Sequence, residues 1–191
     1  LINNKGEKIV CNENCNEDLF WALKGCGGGN FGIVTSMTFK LSERIEMATL
    51  VNIKFPNINL DECAELIEKW QDIYKNLDNR ANFKLVIHNS KEKEIGVEIV
   101  GLFYGTKKED TEILNPVTNI VSENASSLRY MSVIEANRII HDKHPEYEKY
   151  KSCGRFVYRD YNREEIINLL KILKSMPKEA EYAAITFYGL G

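Results

Sequence analysis

The spacing of apolar residues changes several times along the chain, and each spacing predicts an element. Gly32 to Leu41 alternates Val34, Ser36 and Thr38 with Ile33, Thr35, Met37 and Phe39, a β-branched run that reads as a strand. Before it, a short strand is expected to end near Val10, and Glu17 to Lys24 reads as one or two helical turns packing Leu19, Phe20 and Leu23. Thr49 to Phe55 is a further strand. Leu60, Cys63, Ile67, Trp70, Tyr74 and Leu77 then recur on one side of a helix, with Asn59 as its cap and Asp61 and Glu62 in its first turn. Asn82 to His88 and Ile95 to Tyr104 flank the polar link Asn89 to Glu94 and predict a hairpin. Thr106 with Glu109 has the form of a capping box for a helix that Pro116 interrupts, and Ser132 with Glu135 repeats the box ahead of Ala136, Ile139 and Ile140. His141 to Lys151 reads as an exposed loop. A strand over Arg155 to Tyr158, a helix from the cap Asn162 through Met176 to the stop at Pro177, and a strand over Tyr182 to Tyr188 complete the series.

Helices spaced between strands, with at least one hairpin, predict an antiparallel or mixed sheet covered by helices, an α+β fold. The charged stretch Ser42 to Glu46 marks a boundary between a small β-rich piece, residues 1–45, and an α+β domain, residues 46–191. In the last strand Tyr182, Ala184, Thr186 and Tyr188 share one face while Ala183, Ile185 and Phe187 share the other. The apolar face is expected to lie under the helix that carries Cys63 and Ile67.

Composition narrows the function classes. The 191 residues include 25 basic and 28 acidic side chains, a net charge of -3 with no sustained Lys/Arg stripe, so a nucleic-acid partner is not expected. No apolar run reaches the roughly 20 residues that span a bilayer, which argues against a membrane partner. With 43% hydrophobic and 28% charged residues the chain is an ordinary globular sequence. It begins at Leu1 and stops at a glycine after an apolar run, and is expected to be cut from something longer. Cys11, Cys15, Cys26, Cys63 and Cys153 are irregularly spaced and unclustered with histidine, supporting neither a disulfide framework nor a metal site. They read as mostly reduced and buried, which points to the cytoplasm.

The segment richest in chemistry is Gly25-Cys26-Gly27-Gly28-Gly29-Asn30-Phe31-Gly32. Glycine at this density is tolerated where the backbone must take positive φ or approach something closely. A formal G-x-G-x-x-G at Gly27, Gly29 and Gly32 lacks the strand-turn-helix context of a dinucleotide fingerprint, because a helix precedes it and a strand is expected after it. No Lys-Ser/Thr pair ends the run, so it is not a Walker loop. Spacing alone leaves two readings open, a tight helix-to-strand connection and a ligand-binding turn.

The longer string Asp18-Leu19-Phe20-Trp21-Ala22-Leu23-Lys24-Gly25, continuing through GCGGGNFGIVTSMTFKL, closely resembles the segment that closes the FAD-binding domain of the berberine-bridge-enzyme-like oxidoreductases and related sugar oxidases. It departs only in placing Cys26 where glycine is usual. Fainter landmarks are Phe103-Tyr104-Gly105-Thr106, Lys151-Ser152 and Ile185 to Gly191. The resemblance implies FAD as cofactor, hydride transfer from a carbon-hydrogen bond of a small organic substrate, and commonly oxygen as acceptor. It places Gly28, Gly29, Asn30, Phe31, Gly32, Ile33 and Val34 against FAD. It also implies that the diphosphate loop and the flavin attachment residues lie in missing parts of the same polypeptide, so this chain alone should bind FAD poorly. On the final strand Tyr188 is a candidate catalytic phenol, with Tyr182, Thr186 and His88 as candidate substrate contacts. Trp21, Phe20 and Trp70 are read as core, and Cys26 as a small buried hydrophobe. A competing reading is a non-enzymatic α+β interaction module with a glycine turn.

Overall fold

The computed structural model describes all residues except 57, 92–94, 121–124, 142–148 and 189–191. The chain divides into two compact units, Leu1–Arg44 and Ile45–Gly191. The first holds one helix, α1 (Glu17–Leu23), and isolated bridges that join Ile2 to Lys8, Ile2 to Ile33 and Asn12 to Cys15. Seven residues are too few for a helix to be stable by itself, and α1 buries only Ala22.

The second unit is built on a five-stranded sheet of order β4-β1-β3-β2-β5, comprising β1 (Met47–Phe55), β2 (Ala81–Ser90), β3 (Gly96–Phe103), β4 (Ala125–Ser132) and β5 (Tyr182–Tyr188). All four ladders are antiparallel, which makes the unit α+β. Period-2 alternation gives the sheet two unlike faces. Val51, Ile53, Phe55, Phe83, Leu85, Ile87, Val97 and Ile99 form one face and are buried with helices α2 (Leu60–Lys75), α3 (Lys107–Thr118) and α5 (Arg163–Lys174). Ala183, Ile185 and Phe187 pack against this same cluster, which contains Cys63 and Ile67, as the alternation of β5 predicts. On the opposite face, α4 (Val133–His141) brings Ala136, Ile139 and Ile140 against Leu50 and Leu102. On the same face Tyr182, Ala184, Thr186 and Tyr188 of β5 are exposed.

Each long helix starts at a residue whose side chain satisfies an otherwise unpaired amide. Asn59 and Glu62, Thr106 and Glu109, and Asn162 and Glu165 each form a reciprocal capping box. A cap contributes about 1 kcal/mol, and each fully buried Leu, Ile or Phe roughly 1.5–3 kcal/mol. Leu66, Ile67 and Trp70 therefore hold α2 on the sheet while Asn59 decides where the helix begins.

Several expected elements differ. The strands expected near Val10 and over Gly32 to Leu41 are absent but for single bridges, and Arg155 to Tyr158 forms no strand either. A β-branched run becomes a strand only when a neighbour pairs with its N–H and C=O groups, and among the described residues none pairs with these. Conversely β4 is a strand despite its polar sequence, because the main chain of β1 pairs with it from Met47 to Lys54. Pro116 does not end α3, which continues to Thr118. It sits in the last turn, where few bonds remain to be lost, and Val117 anchors that turn in the core. Trp21 is 71% exposed and not core, since α1 turns only Ala22 inward. Of the cysteines only Cys63 is buried, whereas Cys26 and Cys153 are exposed; all are free. The loop expected over His141 to Lys151 falls largely outside the described residues.

Candidate functional site

In the first unit the residues after α1 form a turn set by glycine. Gly27 and Gly29 take φ of 86° and 78°, and Gly32 takes 132° while lying so close to the Ile2 carbonyl that a side chain would collide with it. The Asn30 amide group braces the turn by donating to the Cys26 carbonyl at 2.7 Å. Gly25 and Gly28 differ from the other three. Their φ values are ordinary and nothing lies within 4 Å of where a Cβ would stand. Neither the fold of the turn nor its packing requires glycine there.

A cleft of about 380 Å³ opens beside the turn, lined by Gly25, Gly27 to Gly32, Lys24, Val34 and Met37 among others. Ile2 and Ile33 exchange backbone bonds at 2.8 and 2.9 Å, whereas among the described residues the amides from Gly27 to Gly32 donate to no protein acceptor. Consecutive amides left open on a glycine turn form a concave donor surface suited to anionic oxygens. Lys24, whose ammonium lies over the Phe20 ring at 4.4 Å, adds a cation to the lining. This arrangement fits the phosphate-bearing side of FAD. Gly28, Gly29, Asn30, Phe31, Gly32 and Val34 line the cleft; Ile33 does not, its amide being taken by Ile2. Lys24 is not singled out by sequence, because its place in the lining depends on where α1 ends.

In the second unit the other candidate residues share the open sheet face. Tyr182, Thr186 and Tyr188 are exposed on β5, Tyr188 to 61%. Tyr188 stands opposite Lys84, Thr186 opposite Val86, and Ala184 opposite His88. The His88 ring stacks on Tyr182, with centroids 5.7 Å apart, and lies over Gly96, where an added Cβ would come within 2.5 Å of the imidazole. The nearby pair of Lys54 and Glu98 sits at 3.2 Å on the same face. Lys84 was not singled out by sequence, although the period of two along β2 already places it with His88. Among the described residues no group of His, Cys, Asp and Glu could hold a metal, and no helix is long and apolar enough to cross a membrane.

The first unit thus carries a glycine turn with open amides beside a cleft, and the second an α+β fold with one polar-aromatic sheet face. The proteins that the chain resembles bear out its likeness to FAD-linked oxidoreductases. An uncharacterised FAD-linked oxidoreductase of Bacillus subtilis, YgaK, is 30% identical over 164 residues, 85% of this chain and 35% of that protein. Reticuline oxidase of Eschscholzia californica is 30% identical over 119 residues, 60% of this chain and 22% of that protein. The chain thus spans about a third or less of the length of these relatives. No protein-family model matches it. Among solved structures, a berberine bridge enzyme variant in complex with (S)-reticuline superposes with a TM-score of 0.58 at 26% identity, over 73% of this chain and 27% of that one. Chitooligosaccharide oxidase, at TM-score 0.61 and 19% identity over 78% of this chain and 30% of that one, shares the fold. The homologues of this chain are FAD-linked oxidoreductases and berberine-bridge-enzyme-like proteins.

Proposed function

We propose that the chain is part of a flavin-dependent oxidoreductase that oxidises a carbon-hydrogen bond of a small organic substrate, a sugar, alcohol or secondary metabolite, by hydride transfer to FAD, the class commonly using oxygen as acceptor. In this reading Leu1–Arg44 closes the FAD-binding domain and Ile45–Gly191 is the substrate-side domain. The cytoplasm is the compartment proposed, on the strength of five free cysteines.

The observation that carries the reading is the run of open amides from Gly27 to Gly32, beside glycines that the fold itself does not require. When bound, FAD supplies the hydride acceptor. The chain supplies backbone donors for the cofactor's oxygens and, from Tyr188, Thr186, Tyr182 and His88, a surface that orients the substrate and handles its proton.

Gly28→Val in the full-length protein tests this directly. At Gly29 a valine would strain the turn through its φ of 78°, so a loss there would be ambiguous. At Gly28 φ is not positive and no atom lies within 4 Å of where a Cβ would stand, and the residue lines the cleft. Flavin absorbance per protein should fall about tenfold or more while the melting temperature of the flavin-free form stays unchanged. Full flavin content in this variant removes the assignment.

A further inference from the structure

Charge is unevenly spread on the open sheet face. Glu98 is held by Lys54 at 3.2 Å, whereas among the described residues no carboxylate pairs with Lys84. Lys84 is half-buried, with Val100 opposite it on β3 and Tyr188 opposite it on β5. The acidic residue diagonal to it, Glu98, is the one already engaged by Lys54. Lys84 stands between a valine and a tyrosine on neighbouring strands, and its charge attracts an incoming anion.

The surface beside Lys84 is shaped as well as charged. Going along the strands, the same face continues through Val86 and Thr186 to His88 and Ala184. Short side chains therefore floor a trough with Lys84 and Tyr188 at one end and the stacked rings of His88 and Tyr182 at the other. Four residues of strand separate the ends, roughly 13 Å at about 3.3 Å per residue. Gly96 lets the imidazole lie against the sheet, because a side chain there would displace the ring. Among the described residues, helix α4 packs at the β1 and β4 end of this face and not over the trough.

We propose that the trough binds a ring-bearing organic anion, with its carboxylate or phenolate at Lys84 and Tyr188 and its ring against His88 and Tyr182. The inference rests on reading this face as the substrate side and narrows the substrate class, with Lys84 as the residue that sets it.

Cinnamate and cinnamamide, alike in shape and different in charge, provide the probes. Isothermal titration of the full-length protein should show cinnamate binding about tenfold more tightly than cinnamamide, the difference a single charge-assisted contact supplies. Lys84→Met should abolish that preference and Lys84→Arg should retain it. Equal binding of the two probes to the unaltered protein overturns the proposal, as does no binding of either, and neither result depends on a variant folding. A preference that survives in Lys84→Met overturns it too. Calorimetry reads binding without the flavin band, so a protein lacking flavin but preferring cinnamate would sink the oxidoreductase reading alone, and a flavoprotein without the preference would sink only this inference.

Discussion

Asp110 shows how strongly a single position can oppose its surroundings. It lies in the first turn of α3, fully buried, and neither carboxylate oxygen has a hydrogen-bond partner among the described residues. Burial without compensation pushes its carboxyl up from 3.8 to about 7. The folded protein then binds a proton on Asp110 more tightly than the unfolded chain does. Its stability is greatest below the unfolded value, declines as pH rises, and has lost this contribution once pH passes about 7. Asp110→Asn keeps the shape without the charge. The variant should gain on the wild type as pH rises from 4 to 8 and melt several degrees above it at pH 8, a gain equivalent to about 1–3 kcal/mol. Parallel melting curves across that range would mean that Asp110 does not titrate in the folded state.

At the scale of elements, the helices and strands obeyed different rules. Helix starts were legible because a cap is a local transaction: Asn59, Thr106 and Asn162 each reach an amide two or three residues onward. Asn162→Ala should cost about 1 kcal/mol, since the Glu165 amide loses its acceptor at 3.0 Å. A thermal melt should fall by a few degrees, with the secondary structure seen by circular dichroism retained below the transition; an unshifted melt would show that water replaces the cap. Strands carry no such local guarantee. Gly32 to Leu41 has the β-branched alternation and no strand, whereas Ala125–Ser132 has little of it and is one, because β1 offers a ladder. Alternation did determine which side of β5 is buried once a ladder existed.

At the scale of the whole molecule, the chain folds as two units and spans about a third of the length of its relative YgaK. The role proposed for Tyr188 is tested at this level, in the full-length protein. Tyr188→Phe in the full-length protein should slow anaerobic flavin reduction about a hundredfold. The β5 ladder to Lys84 and its neighbours is made by the main chain and should survive the change. A normal reduction rate would remove Tyr188 from the mechanism without touching the fold.

What the sequence determined by itself was whatever depends on near neighbours along the chain: the caps, the hairpin of β2 and β3, the faces of α2 and β5, and the glycine turn with its likeness to flavin-linked oxidoreductases. The tertiary structure alone decided which β-prone runs found partners, that α4 covers one end of a sheet face and leaves Tyr182, Thr186 and Tyr188 open, and that Lys84 stands beside Tyr188 rather than beside a carboxylate. Residues 84 and 188 are adjacent only through the pairing of β2 with β5. Local preferences are written residue by residue, whereas pairing depends on which distant segment reaches the strand first and what lies on its other side.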